Sequence, residues 1–383
     1  MRVLHVSADY PDPLAPAKTR AVSNLLALTR DVEHRVWSLN RVGWRHATRA
    51  LDFADAAGEG HRAVAYGAPP KGLFHARYLD RLADWLLEDL ARCGFAPDLI
   101  HAHKLSVEGL VAERLAARLG LPFALSVQGN SDLKIVGAKR DLRDRFAGVW
   151  RGAAIVFPFA PWAAEGLTRL LGPRAGPVRP LPCPTPADRL IAPRVAGPVF
   201  RTAFNLGFWR NKNAEALIRA VGRAAAQVPD IRLEIIGGGD ADAFAHLAAL
   251  ADAAAPGRVR FLGAVAHERI QDLLNAACAF ALVSHRESYG MVFAEALLAG
   301  APCLIPRGRA IDGYFAEGGA ILAADPRDGD EIAGGLVRLA REEAGFKARL
   351  AALGEGGGLD LLTRAAIARA YRAGLAEAAP IQR

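Results

Sequence analysis

Residues 284–300, SHRESYGMVFAEALLAG, decide how the rest of the chain is read. Just before them, residues 278–283 are small and apolar and long enough for one buried strand. Within them, Val292, Ala296 and Leu297 recur at helical spacing and Gly300 stands where a helix would end, which predicts a short helix over 291–299. The order is strand, tight polar loop, helix. Such a junction turns free backbone N–H groups and the positive end of a helix dipole toward whatever lies over the loop, and phosphate suits it. Two carboxylates flank the junction: Glu287 on the loop, and Glu295 about one turn into the helix. Glu295 could accept hydrogen bonds from the vicinal hydroxyls of a ribose, and Glu287 could reach the sugar end of the same ligand. The residues alone equally allow a solvated Glu287 and a Glu295 favoured by the helix dipole.

The longer run 258–305, RVRFLGAVAHERIQDLLNAACAFALVSHRESYGMVFAEALLAGAPCLI, resembles the carboxyl half of the retaining glycosyltransferases of family four, which have the GT-B fold. The resemblance rests on Glu287, seven residues, Glu295, then Ala296 and the turn Gly300-Ala301-Pro302, and it covers most of 200–340. It implies an α/β protein of two Rossmann-like doubly wound domains facing a cleft. The expected boundaries are an acceptor-binding domain at 1–182, a Pro-rich linker at 183–198, a nucleotide-sugar-binding domain at 199–358, and a helix in 359–383 that crosses back to the first domain. The implied reaction moves a hexosyl group from a nucleotide diphosphate sugar to an acceptor hydroxyl with retention, with the donor as substrate and no metal or cofactor required.

The resemblance also implies roles. Ser288, Tyr289, Gly290, Met291 and Val292 would hold the donor with Glu287 and Glu295. After a strand at 200–206, Gly207-Phe-Trp-Arg-Asn-Lys212 stands where the family grips the diphosphate with Arg and Lys. Lys212 matches the Lys; Phe208 occupies the place of the Arg, and Arg210 is its substitute. Gly237, which follows a strand at 233–236, together with Gly263 and Val265, joins the donor set, the last two at the nucleobase edge. Asp240-Ala-Asp242 reads as a polar turn. At Asp98-Leu-Ile-His-Ala-His103, a strand end like the family's, His103 is expected to project into the ligand crevice. The catalytic set is therefore Glu287, His103, Arg210 and Lys212.

The amino-terminal half resembles the family less. Residues 2–7 read as a buried parallel strand, the loop 8–19 with Pro11, Pro13 and Pro16 as stiff and extended, and 20–28 as a helix. No GxGxxG is present, which argues against a dinucleotide oxidoreductase. Where relatives carry a Gly-Gly pair, this chain has Ala15-Pro16-Ala17-Lys18, and Lys18 or Arg20 would supply charge in place of backbone donors. A strand is read at 34–39, an amphipathic helix at 78–90, a helix at 107–119 and a strand at 121–127, with 41–75 irregular. Gln128, where many relatives have His, can bond a hydroxyl but cannot ionise.

The composition fits these assignments. At 383 residues and 52% apolar, the chain is long enough for two cores. No apolar run approaches the roughly 18 residues of a spanning helix. The first residues, MRVLHVSADYPD, lack a signal-peptide core. Cys93, Cys183, Cys278 and Cys303 are scattered, as reduced thiols in a cytoplasmic protein would be. Residues 1–195 hold 27 Lys+Arg against 19 Asp+Glu, while 196–383 hold 21 of each, so the net +8 lies in the first half. It reflects either an Arg-rich composition or an anionic target, a phosphate-bearing acceptor or a membrane surface touched peripherally. Lys139, Arg140 and Arg143 are the densest basic patch. Nucleic acid is not expected, because no basic run interleaves with aromatics. Two alternatives share the donor site: a nucleotide-sugar 2-epimerase and a non-catalytic nucleotide-sugar-binding protein.

Overall fold

The computed structural model describes residues 1–379, which divide into two units: 1–184 with 364–379, and Thr185–Thr363. In the first unit the strands are β1 (Arg2–Ser7), β2 (Glu33–Val42), β3 (Arg49–Asp55), β4 (Gly58–Gly67), β5 (Leu99–Ala102), β6 (Phe123–Val127) and β7 (Ile155–Pro158). They lie in the order β3-β4-β2-β1-β5-β6-β7, all parallel except β3, which runs antiparallel to β4. The helices are α1 (Ala21–Ala27), α2 (His75–Cys93), α3 (Leu110–Leu119), α4 (Asn130–Ala138), α5 (Arg143–Gly152) and α6 (Pro161–Leu171). Strands such as β5, β6 and β7 are buried along their whole length, as parallel strands covered on both faces must be.

The carboxyl-terminal helix, Arg364–Ala378, belongs to this unit. Its Ile367, Tyr371 and Leu375 join Val3, Leu26, Val36 and Leu99 in one buried cluster. Each such side chain removed from water contributes about 1.5–3 kcal/mol, so the helix is held by its apolar face. Arg372 adds an ion pair to Asp31 at 2.7 Å on the exposed side.

Two expectations for this unit need correction. Residues 41–75 are not irregular: they contain the β3–β4 hairpin. The strands escape notice because β3 has no buried residue and lacks an apolar face. Nor is the loop 8–19 extended. It folds around the buried Asp12, whose Oδ1 accepts from the N–H groups of Leu14 (2.7 Å) and Ala15 (2.9 Å), an Asx-type turn that overrides the prolines.

The second unit carries β8 (Val199–Ala203), β9 (Arg232–Ile236), β10 (Val259–Gly263), β11 (Ala279–Ala281), β12 (Cys303–Pro306) and β13 (Ile321–Ala324). All are parallel, in the order β10-β9-β8-β11-β12-β13. Its helices are α7 (Trp209–Lys212), α8 (Ala214–Ala224), α9 (Ala241–Ala254), α10 (Ile270–Asn275), α11 (Met291–Leu298), α12 (Gly329–Arg341) and α13 (Glu343–Glu355). Chain order reverses between β8 and β11, so the switch point, where doubly wound sheets open a ligand crevice, lies at the carboxyl ends of those two strands. Among the described residues no helix is long and apolar enough to cross a membrane.

Candidate active site

The loops that leave β8 and β11 meet at the switch point of the second unit. They are joined by backbone and amide bonds: His285 N–H donates to Asn211 O at 2.9 Å, and Asn211 Nδ2 to Arg286 O at 3.0 Å. Asn213, at the start of α8 with a left-handed φ of 59°, donates from Nδ2 to Val283 O (3.1 Å) and Pro326 O (2.7 Å). The segment between Gly207 and Asn213 is helical, one short turn at 206–208 running into α7. That winding sets Lys212 Nζ 2.5 Å from Glu287 Oε2, with Ser284 Oγ donating to the same oxygen at 3.4 Å. A cation and a carboxylate thus stand together, part-buried, where the crevice opens.

Helix α11 starts beside them. Gly290 precedes it at φ 71°, and a Cβ there would lie 2.6 Å from the Phe293 ring and 3.0 Å from Glu287 Cγ, so glycine lets the loop close onto the helix. No side chain caps this end, and its first turn holds no acidic residue. Phe293 N–H donates to Gly290 O at 2.9 Å, and the N–H groups of Met291 and Val292 are left for a ligand. At the other end Gly300, at φ 76°, closes a Schellman motif: Ala301 N–H donates to Ala296 O at 2.8 Å and Gly300 N–H to Leu297 O at 3.0 Å. The buried Lys347 donates to Gly300 O and Ala277 O at 2.8 Å each, and burial pushes its ammonium down to about 8.

Glu295 is buried on α11, 7% exposed. Its Oε1 accepts from Thr185 Oγ1, and His267 Nε2 lies 3.8 Å away. Burial raises its pKa above the usual carboxylate value, and the Thr185 hydrogen bond and the His267 charge oppose the rise. The turn at 307–313 backs the Glu287 loop: Ala310 N–H donates to Glu287 O at 3.2 Å. Tyr289 is buried, its ring edge-on to Tyr314 at 6.3 Å.

The other donor-side residues group along the strand ends. Gly237 N–H donates to Gly263 O (2.8 Å) and Leu206 N–H to Gly238 O (3.0 Å), which brings Gly207, Gly237 and Gly263 to one edge, with Val265 just beyond. Arg210 is exposed, its guanidinium 4.3 Å over the Trp209 ring. Asp240 is not merely part of a turn: its Oδ1 accepts from Ala243 N–H at 2.9 Å and caps α9, which accounts for it without a metal. Thr185 and His267 carry no recognisable spacing and are visible only in three dimensions, as is the bond that Ser284 makes to Glu287.

In the first unit His103 does not project as expected. It is 1% exposed, its ring tilted against that of His101 with centroids 4.2 Å apart, and its Nε2 meets His5 Nδ1 at 3.1 Å. His5 Nε2 meets His34 Nδ1 at 2.9 Å, and His101 is held between Tyr371 OH (2.8 Å) and Ser126 Oγ (2.9 Å). Burial drives His103 to about 3 and His34 to about 4, so this is a chain of neutral imidazoles. Nitrogens of His5, His101 and His103 lie within 4.8 Å of one another, close enough for a metal by distance alone, but both nitrogens of His5 and of His101 already have protein partners.

Lys18, expected to offer charge, is spent: its Nζ reaches Asp12 Oδ2 (2.8 Å), Ser38 Oγ (2.9 Å) and Leu39 O (3.2 Å). Arg20 is exposed at the start of α1. Gln128 is buried, its N–H donating to Asp132 Oδ2 at 3.1 Å. Of the basic patch, Lys139 Nζ donates to Gly72 O at 2.7 Å, while Arg140 and Arg143 are exposed.

Two doubly wound units built on mainly parallel sheets, one with a Lys–Glu pair and an uncapped helix start at its switch point, define a GT-B protein. Two family profiles agree: "Glycosyl transferase 4-like domain" matches residues 18–184 and "Glycosyl transferases group 1" matches 201–342. The chain belongs to this group 1, family-four type of glycosyltransferase. A curated relative, the D-inositol 3-phosphate glycosyltransferase of Nocardioides sp., is 32% identical over 155 residues. That match takes in 37% of this chain and about a third of the relative's length (34%). Among solved structures, sucrose-phosphate synthase from Thermosynechococcus elongatus superposes with a TM-score of 0.68 at 19% identity, over 98% of this chain and 100% of that one. Anabaena HepE, solved in complex with UDP and glucose, does so with a TM-score of 0.64 at 16% identity, over 98% and 99%.

Proposed function

We propose that the protein transfers a hexosyl group from a nucleotide diphosphate sugar to an acceptor hydroxyl, with retention at the anomeric carbon and without a metal. The observation that carries this reading is the Lys212–Glu287 pair at the switch point of the second unit. In an oxocarbenium-like transition state the departing diphosphate gathers negative charge. Lys212, Arg210 and the N–H groups of Met291 and Val292 are the donors available to meet it. Preorganised donors of this kind each contribute about 2.7–4 kcal/mol. Glu287 orients the sugar hydroxyls while its ion pair fixes the Lys212 ammonium. Glu295 orients the ribose; Thr185 occupies Oε1, which leaves Oε2 to accept. Gly263 and Val265 line the base end, and Gly207 and Gly237 adjoin them in the donor site. His103, being buried, is left out of the catalytic set.

The UDP and glucose in the HepE structure and the name of the curated relative support a nucleotide-sugar donor. The acceptor is assigned to the first unit. The exposed Arg140 and Arg143 supply a surface for peripheral contact with an anionic membrane, on its cytoplasmic side. Thermal-shift titration with UDP-, GDP- and ADP-sugars, then NMR of the product's anomeric proton, tests the reading. One nucleotide sugar raises Tm and the product keeps the donor's configuration; stabilisation by none, or an inverted product, contradicts it.

A further inference from the structure

The segment that opens the second unit is fastened along that unit. Arg189 N–H donates to Gln271 Oε1 at 3.2 Å, and Gln271 Nε2 returns a bond to Arg189 O at 2.7 Å. Ile191 N–H donates to Leu298 O, at the end of α11, at 2.8 Å, and Asn275 Nδ2 to Ala192 O at 2.9 Å. Thr185 heads this segment, fully buried, between Pro184 and Pro186. The proline that follows confines its backbone to extended conformations. Its hydroxyl is thus held in one place.

That hydroxyl has two partners and one proton. Ala187 N–H donates to Oγ1 at 3.3 Å, so the proton on Oγ1 goes to Glu295 Oε1. A proton donated to a carboxyl favours its ionised form. His267 Nε2, on the short turn that follows β10, lies 3.8 Å from the same oxygen. Among the described residues no lysine or arginine forms an ion pair with Glu295. Burial pushes the carboxyl toward its neutral form, and the Thr185 hydroxyl and the His267 charge are what pull it back. A carboxyl that keeps its proton has less acceptor capacity to offer a hydroxyl.

We propose that Thr185 is a positioning residue of the donor site, with His267 beside it: the two hold the Glu295 carboxylate so that Oε2 receives the vicinal hydroxyls of the nucleotide ribose. The role rests on the ribose reading of Glu295 given above and adds a pH dependence to it. With either helper removed, burial meets less opposition and Glu295 keeps its proton to higher pH. Ribose recognition needs the carboxylate, so it is lost from the acid side and returns as pH rises.

Calorimetry is run on the full chain at about pH 6 and about pH 9 with UDP, GDP and ADP, each beside its 2′,3′-dideoxy form. The pairing cancels the titration of the phosphates. In the wild type one ribonucleotide should bind at least about tenfold tighter than its dideoxy form, with most of that preference kept at the lower pH. Thr185→Val should lose most of the preference at the lower pH and regain it, at least in part, at the higher. Thr185→Ser, which keeps the hydroxyl, should behave as the wild type, and His267→Gln should repeat the Thr185→Val pattern. A preference unchanged in Thr185→Val at both pH values overturns the role. So does a preference lowered equally at both, which marks Thr185 as merely structural. Should Thr185→Val show no thermal unfolding transition, His267→Gln, altered at a side chain 47% exposed, carries the same comparison, and a preference that ignores pH there overturns the proposal. Glu295→Ala separates this role from the reading beneath it. If that variant keeps the ribose preference, the ribose reading fails and the positioning role with it. If it loses the preference while Thr185→Val and His267→Gln retain it throughout, the ribose reading stands and the positioning role falls. Binding of none of the three nucleotides sinks the transferase reading and the proposal together.

Discussion

Lys212, at the end of α7, and Glu287, on the loop before α11, lie 75 residues apart in sequence, yet their charged atoms stand 2.5 Å apart. Lys212→Ala leaves Glu287 without its counter-charge and removes a donor that acts chiefly in the transition state. It should lower kcat by about 10²–10³ while changing donor KM much less; steady-state kinetics with equal loss in both would point to ground-state binding. Glu295→Ala removes a ribose acceptor and leaves the Thr185 hydroxyl without the acceptor of its proton. Nucleotide-sugar affinity should fall by about tenfold or more, read by calorimetry, and unchanged affinity contradicts the ribose role. The two acids were legible in the sequence because they flank one strand–loop–helix unit, and Lys212 because it stands where the resembling family carries the Lys that grips the diphosphate. Thr185 and His267 were not, since neither is spaced from Glu295 by any local period. His103 was misread because a strand-end position does not say whether a side chain opens to the crevice or turns into a core, and here it packs on His5 and His101, with His34 on the far side of His5.

At the scale of elements, the most informative segment is the π-helical turn Leu105–Gly109 that leads from β5 into α3. Asp132 tethers its start, accepting from Leu105 N–H (2.9 Å) and Ser106 N–H (3.2 Å). Glu108 lies within the turn, fully buried, with Oε1 accepting from Ala8 N–H at 2.8 Å and Oε2 without a hydrogen-bond partner. Burial raises Glu108 from 4.5 to about 7, against the opposing charge of Lys104. An acid with a raised pKa keeps its proton in the folded state after the unfolded chain has lost it. Its stabilising share is therefore whole below about 4.5, declines as pH climbs toward 7, and is level above. Glu108→Gln should remove that decline, so that the variant gains on the wild type by up to about 3 kcal/mol between pH 4.5 and 7.5. Thermal unfolding at several pH values measures the difference; parallel curves for the two proteins would contradict the buried proton. Most parallel strands were legible as short apolar runs, whereas β3 was hidden by its exposed edge position and the loop 8–19 by prolines that mask an aspartate-centred turn.

For the whole molecule, charge divides with the two units. Residues 1–184 and 364–383 hold 29 Lys+Arg against 19 Asp+Glu, net +10, and 185–363 hold 19 against 21, net −2. Such a division favours an anionic surface or acceptor at the first unit. Sedimentation with anionic vesicles should be appreciable at low salt, fall as the Debye length shortens, and drop in the Arg140→Glu/Arg143→Glu double variant, with nucleotide binding intact. Sedimentation indifferent to both salt and charge reversal would remove the membrane contact. The whole account turns on where a sugar nucleotide sits, and a crystal structure of the complex with the nucleotide sugar that raises Tm shows this directly. The predicted density places the diphosphate within hydrogen-bond reach of Lys212 Nζ and the first amides of α11, the ribose on Glu295 and the hexose on Glu287. A ligand bound elsewhere, or touching neither glutamate, contradicts the account.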